Sequence, residues 1–354
     1  MKKFFGVLIA VLLVLATVSA CAETFTFSLV GDCTVGAQYK YQKYKNGFIK
    51  KVDANGWEYP FSLAADLFAA DDLTIANCEG VFTTRKLKKG AKEMSLCAPP
   101  EYAEIFKLGN VDVCNLANNH GRDFGWDGFY DTQAAMDAQG IKHFGYDYTL
   151  TMEVKGVKIG FVGYCYPIDK SKMRSYKEKI AELRADGCTF IIASAHWGKE
   201  ESLNINLQQR SGAPALIDMG ADMVYGHGSH TLQPIQIYKG KVIFYSLSNF
   251  TFGANANPKD ADTAVVQLTY DINEDGTMTA RELLAIPYKM HNKGDFRPYP
   301  IEDAEAWTKC MKKLVFYKDK DPDSCLPDTF LETGYADLRD IVAQQLAELE
   351  TAAE

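Results

Sequence analysis

At 354 residues the chain has room for one large or two modest domains and a sizeable core. Its 47% apolar and 24% charged residues exclude a disordered chain. A formal charge of −8, or −10 without Lys2 and Lys3, argues against nucleic acid as a partner, so an anionic substrate has to be held by a local cationic feature.

Lys2 and Lys3 followed by an apolar run over 4–18 have the form of an export signal. Residues 1–22 fit a cleaved leader ending at Ala20-Cys21-Ala22, or a lipoprotein leader in which Val18-Ser19-Ala20-Cys21 is the lipobox and Cys21 carries lipid. An uncleaved membrane anchor is the third reading. All three place the body outside the cytoplasm, at the envelope. Among the nine cysteines, Cys78, Cys114, Cys165 and Cys188 sit in strand-like runs as small buried hydrophobes. Cys310 and Cys325, flanking a polar loop, are the candidate disulfide pair.

The run 25–30 predicts a strand that stops at Gly31-Asp32. Residues 38–57 have no clear period and predict a surface loop, and 60–70 predict a helix. A short strand over 73–76 then stops at Asn77-Cys78-Glu79. The basic stretch from Arg85 to Lys92 has the character of a solvated loop; Lys88 and Lys89 in it are secondary candidates for contacting an anion. A helix over 99–108 leads to a strand over 111–116 that stops at Asn118-Asn119-His120, and a helix over 126–139 ends at Gly140.

Strands over 141–144, 152–154 and 157–164 follow, the last two joined by a hairpin turn at Lys155-Gly156. A helix over 172–185 and an apolar strand over 189–195 lead to His196-Trp197-Gly198. A helix over 208–219 and a strand over 221–225 lead to Gly226-His227-Gly228-Ser229-His230. Strands over 235–238 and 242–245 turn at Lys239-Gly240, and two more strands span 264–271 and 281–286. From about Pro300 the pattern becomes helical, with Leu338, Ile341, Val342 and Leu346 on one face of the last segment. The expected organisation is a leader over 1–22, an α/β domain over 23–299 and a helical extension over 300–354 packed on it.

Five predicted strands thus stop at a residue able to bind metal, and in layered α/β folds the carboxyl ends of strands gather into one crevice. Four of the six histidines, His120, His196, His227 and His230, lie at such ends beside Asp32, Glu79 and Asn119. Imidazole, carboxylate and amide ligands together suit manganese, zinc or iron, as one ion or as two about 3.5–4 Å apart. His143 and His291 lie outside the pattern and are expected to be structural.

Gly31-Asp32, Asn77-Cys78-Glu79, Asn118-Asn119-His120 with Asp123 and Gly125, His196-Trp197-Gly198-Lys199-Glu200, Gly226-His227-Gly228-Ser229-His230 and Tyr245-Ser246-Leu247-Ser248-Asn249-Phe250 resemble, in order, the motifs of the CapA family. These are bacterial poly-γ-glutamate capsule synthesis proteins related to calcineurin-like metallophosphoesterases. The resemblance, running from about Phe25 to Phe252, implies a four-layered α/β/β/α sandwich of metallophosphatase type. It implies Asp32, Glu79, Asn119, His196, His227 and His230 as metal ligands, His120 as general acid and Asp123 as the residue that orients it. Trp197 and Asn249 are candidate substrate contacts. Thr34 stands where metallophosphoesterases carry a further histidine ligand.

The function so implied is that of an envelope protein of poly-γ-glutamate or capsule biosynthesis or export. Its partners would be the anionic polymer and other capsule-synthesis membrane proteins, with contact to the membrane through the N-terminal anchor. The rival readings are a metal-dependent hydrolase of phosphoesters or γ-glutamyl amides, and a non-catalytic scaffold for an anionic polymer. No GxxxxGK[ST] loop is present, so ATP-driven ligation would need a partner protein.

Overall fold

A computed structural model describes residues 23–88, 94–291, 294–316 and 326–353. The expected leader over 1–22, Lys89 and Cys325 lie outside the described residues. Among the described residues no helix is long and apolar enough to cross a membrane.

The strand Thr24–Thr34 lies at the centre of a nine-stranded sheet. As far as Val30 it alternates, as a strand buried on both sides must: Phe25, Phe27 and Leu29 enter one core cluster and Val30 another, which Cys33 joins past a register shift. It does not stop at Gly31-Asp32. At Leu29 it pairs antiparallel with Asp262–Ile272, and beyond a register shift Asp32 pairs in parallel with Asn77 on one side and Asn249 on the other. Leu73–Cys78 stays paired on one side throughout, and on the other a new partner, Asn249–Phe252, carries the strand through a dipeptide that would otherwise turn. Gly31 makes this exchange feasible, because a Cβ there would lie 2.0 Å from the Ser248 carbonyl oxygen.

On the far side of this strand the sheet continues in parallel through Leu73–Cys78, Val113–Asn115 and Lys142–Phe144. A second, six-stranded sheet runs in the order Ile235–Tyr238, Lys241–Phe244, Met223–His227, Phe190–His196, Val157–Cys165, Leu150–Val154. Both expected hairpin turns are present, with Lys155, Gly156, Lys239 and Gly240 all at positive φ, as two-residue turns that follow strand twist require.

The two sheets share one apolar core: Phe27 stacks on Phe190 at 5.5 Å between ring centroids, and Phe144 meets Phe161 at 5.3 Å. The other side of the first sheet packs a second cluster with Phe48, Phe106, Phe129 and Met136 from helices. The other side of the second sheet packs a third with Tyr176, Ile180 and Leu183 of Lys170–Ala185 and Ala213 and Leu216 of Leu207–Asp218.

Several segments differ from expectation, among them 60–70, where the expected helix is a 3-10 turn at Tyr59–Phe61 and a single helical turn at Ala65–Phe68. Residues 38–57 contain the helix Phe48–Asn55, because Phe48 and Val52, four residues apart, reach the second core and are buried there. The tail is not purely helical: Tyr335–Asp337 adds a strand to the first sheet by pairing with Met278–Lys289. Leu338 and Val342 of the last segment are buried, whereas Leu346 stays 41% exposed. Cys78, Cys114, Cys165 and Cys188 are buried free thiols, and so is Cys310.

Candidate metal centre

Asp32 lies two residues before the end of its strand and the other expected stops lie at or a few residues past the carboxyl ends of theirs, and the parallel registers bring them together. Asp32 is flanked by Asn77 and Asn249, and His196 is paired directly with His227. Asp32 is fully buried and held from two sides, accepting from Asn77 Nδ2 at 2.7 Å and from the Gly228 amide at 3.1 Å. Its Oδ1 lies 3.8 Å from His196 Nδ1 and 3.6 Å from His227 Nδ1, and its Oδ2 lies 3.4 Å from His230 Nδ1.

Two donor sets follow, both containing Asp32. Asp32, His196 and His227 each offer an atom within 4.8 Å of the others, and so do Asp32, Glu79 and His230. Glu79 is fully buried, with Oε1 3.9 Å from His230 Nε2. Thr34, in place of a further histidine, donates its hydroxyl to the Glu79 carbonyl at 2.7 Å and so braces the turn that carries this carboxylate.

Burial pushes His196 well below the usual histidine range despite the nearby Asp32 charge, and burial together with the His230 charge lowers His227 to about 3. Burial would lower His230 as well, but the Glu79 and Asp32 charges and the hydrogen bonds to Asp32 and Asn249 raise it to about 10. Two neutral imidazoles thus face one carboxylate, with their Nδ1 atoms 2.9 Å apart. At 2.9 Å one Nδ1 donates to the other; with that proton moved to solvent or to the far ring nitrogen, two nitrogen lone pairs and a carboxylate oxygen would converge in a dry pocket as a donor set that suits a divalent cation.

The rings are aimed by groups behind them. Ser194 Oγ lies 2.7 Å from His227 Nε2, which turns Nδ1 toward Asp32, and Asn249 Oδ1 lies 2.7 Å from His230 Nδ1. Gly228, at φ 101°, leaves room for His196: a Cβ there would lie 2.8 Å from the ring's Cδ2. Outer partners of this kind typically tune metal affinity 10–100-fold. Ser194→Ala is therefore expected to weaken metal binding by about 10-fold or more with little change in thermal stability, measured by competition against a chelating dye.

His120 stands at the rim. Its Nδ1 lies 2.6 Å from Asp123 Oδ2, its Nε2 4.0 Å from Glu79 Oε1, and Asp123 in turn accepts from the Leu96 amide at 2.7 Å. His120, His230 and Asn249 open on one cleft of about 520 Å³, walled further by Leu96, Glu200 and Phe252.

Three expected contacts fall elsewhere. Asn119 is exposed, and the buried residue of that pair is Asn118, which donates to the Cys78 carbonyl at 2.7 Å and receives the His120 amide on its Oδ1. The turn spends its inward position on fixing the backbone, which carries the next side chain outward. Trp197 is buried in the third core, its indole N–H donating to the Tyr245 carbonyl at 3.1 Å, so it supports the second sheet from behind. Lys88 is exposed and lies outside the residues that wall the cleft.

Ser194 and Asn115, whose Nδ2 donates to Asn77 Oδ1 at 2.7 Å behind Asp32, escaped sequence reasoning. The available signal was a polar residue inside an apolar strand: Ser194 lies two positions before His196, hence on the same side of its strand.

A protein-family model described as "Bacterial capsule synthesis protein PGA_cap" matches residues 26–254. The chain belongs to this family. The PGA_cap chain is 30% identical over 315 residues to the PGA biosynthesis protein CapA of Bacillus subtilis (strain 168), covering 82% of this chain and 78% of that one. It is 26% identical over 281 residues to the capsule biosynthesis protein CapA of Bacillus anthracis, covering 72% of this chain and 66% of that one, just under two thirds of that relative. The solved structure of TT1561 of Thermus thermophilus aligns with 69% of this PGA_cap chain and 94% of its own at 9% identity, with a TM-score of 0.40.

Proposed function

We propose that this protein is a divalent-metal-dependent hydrolase of the cell envelope that cleaves a γ-glutamyl amide, or a phosphoester, during synthesis of a poly-γ-glutamate capsule or a related anionic polymer. The observation that carries the reading is that one carboxylate, Asp32, belongs to both three-donor groups, while the His120–Asp123 pair opens on the same cleft. Membership of the capsule-synthesis family supports the polymer as substrate. The two sheets with helices packed outside each are read as a four-layered α/β/β/α sandwich of metallophosphatase type. We assign it to 23–299, with 300–354 packed on it and adding Tyr335–Asp337 to its first sheet.

In this reading Asp32, His196 and His227 hold one cation, and Asp32, Glu79 and His230 hold a second. A bound cation would supply Lewis-acid polarisation of the scissile group and activation of water. The chain's own residues do the rest. The buried wall excludes bulk solvent, Ser194 and Asn249 hold the imidazoles in place, and Asp123 fixes Nδ1 of His120. Nε2 of His120 then passes a proton to the leaving nitrogen or oxygen as the bond breaks. Lipid on Cys21, or an uncleaved leader, would tether this body at the envelope.

The decisive experiment measures metal by mass spectrometry after manganese or zinc is supplied, then turnover of γ-glutamyl oligomers and of phosphoesters. One or two ions per chain, with turnover abolished by a chelator and restored by metal, is the expected result. A chain that takes up no metal, or whose turnover ignores the chelator, would sink the proposal.

A further inference from the structure

We infer that a second pocket, separated from the cleft by one salt bridge, binds the polymer away from the bond being cleaved and recognises a polycarboxylate with methylene spacers. The inference rests on the hydrolase reading for its substrate class, and the pocket itself stands on separate residues. It measures about 480 Å³ and shares Leu203 with the cleft. The wall between them is built by Lys313, which lines the pocket and bonds to Asp260 of the cleft at 2.6 Å and to Asp262 at 2.6 Å. The segment that carries Leu203 is pinned in turn by Gln233, whose amide donates to the Ser202 carbonyl at 2.9 Å.

The described lining of the pocket is unusually basic for a chain that carries a formal −8. Arg210, Lys309 and Lys312 line it beside Lys313. The charge of Lys313 is already matched by Asp260 and Asp262. Lys309 and Lys312 are exposed, and among the described residues no carboxylate pairs with them. They lie three residues apart at the end of the helix Ala304–Met311, a spacing that puts both ammonium groups on one side. Arg210 is stacked over the Phe316 ring at 5.4 Å, which holds its guanidinium in place.

Between these cations the lining is apolar, supplied by Ile205, Val315 and Phe316. A site made only for charge, such as one for polyphosphate, gains nothing from an apolar floor. A γ-linked glutamate chain presents free carboxylates separated by methylene groups, and each part meets its complement: carboxylates on Lys309 and Lys312, methylenes on the floor. A strand anchored here would extend past Leu203 toward His120 and the metal ligands. Chain length then becomes something the protein can sense, because a short oligomer fills only one of the two pockets.

The test is equilibrium binding of a fluorescently labelled γ-glutamate oligomer of about ten units to the full chain. Lys309→Glu with Lys312→Glu is compared with Lys170→Glu with Lys177→Glu, an equal charge change at exposed residues elsewhere. The expected result is at least a tenfold rise in Kd for the first variant alone, with metal content and thermal midpoint unchanged. Equal Kd in all three proteins overturns the pocket while leaving the hydrolase reading intact. An equal rise in both variants reduces it to long-range attraction and also overturns it. Tighter binding of polyphosphate than of the γ-glutamate oligomer overturns the assignment of ligand class. Failure of the unaltered protein to bind the oligomer, even with metal present, overturns pocket and polymer substrate together, whereas loss of turnover with binding retained rejects only the hydrolase.

Discussion

Replacing Asp32 by asparagine is expected to weaken metal binding by more than about 100-fold, beyond the range typical of outer partners, and to take turnover below detection. The carboxylate belongs to both donor groups, so one substitution empties two positions, whereas His196→Ala or Glu79→Ala touches only one. The amide is nearly isosteric but has a single acceptor oxygen. Asp32 now accepts from Asn77 Nδ2 on one oxygen and from the Gly228 amide on the other. With an amide N–H facing one of these donors, a hydrogen bond is lost and a repulsive contact takes its place. Metal analysis of the purified variant, beside a thermal melt to check the fold, decides the matter. A variant that keeps its metal would remove Asp32 from the ligand set.

Replacing His120 by asparagine is expected to leave metal content intact and to lower kcat by about 10²- to 10⁴-fold, the range for loss of a positioned general acid. The size of the loss should depend on the leaving group. A γ-glutamyl amide or an alkyl phosphate needs a proton on the departing atom and should feel the full loss. A p-nitrophenyl ester, whose leaving group departs without one, should feel little. Asp123→Asn should follow the same pattern with a smaller loss, because Asp123 acts through the ring it holds at 2.6 Å. Equal loss on both substrate classes would mean that His120 shapes the cleft rather than donating a proton.

The positions most legible in the sequence were those where a local pattern has one structural meaning. The hairpins at Lys155-Gly156 and Lys239-Gly240, the helix stop at Gly140 and the strand ends at His196 and His227 all appear where expected. Legibility failed where two neighbouring residues compete for one inward position. Asn118 and Asn119 are chemically identical, and only the packed turn decides that Asn118 is buried while Asn119 is exposed. It failed again at Trp197, since an aromatic residue after a site histidine can face cleft or core, and here the Tyr245 carbonyl and the core of the second sheet take it.

The sequence by itself determined the family, the alternation of strands and helices, and the residue types available at the centre, because periodicity and motif order are local properties of a chain. It also exposed the acidic balance, which an anionic ligand could overcome only through a local cationic feature. Only the tertiary structure decided that Asp32 serves two donor groups, that Ser194 and Asn249 aim the imidazoles, and that Arg210 comes to lie beside Lys309 and Lys312, about a hundred positions away. Each of these depends on which strands become neighbours and in what register. That choice is made by burial of the shared core, a property of the whole chain that no short stretch encodes.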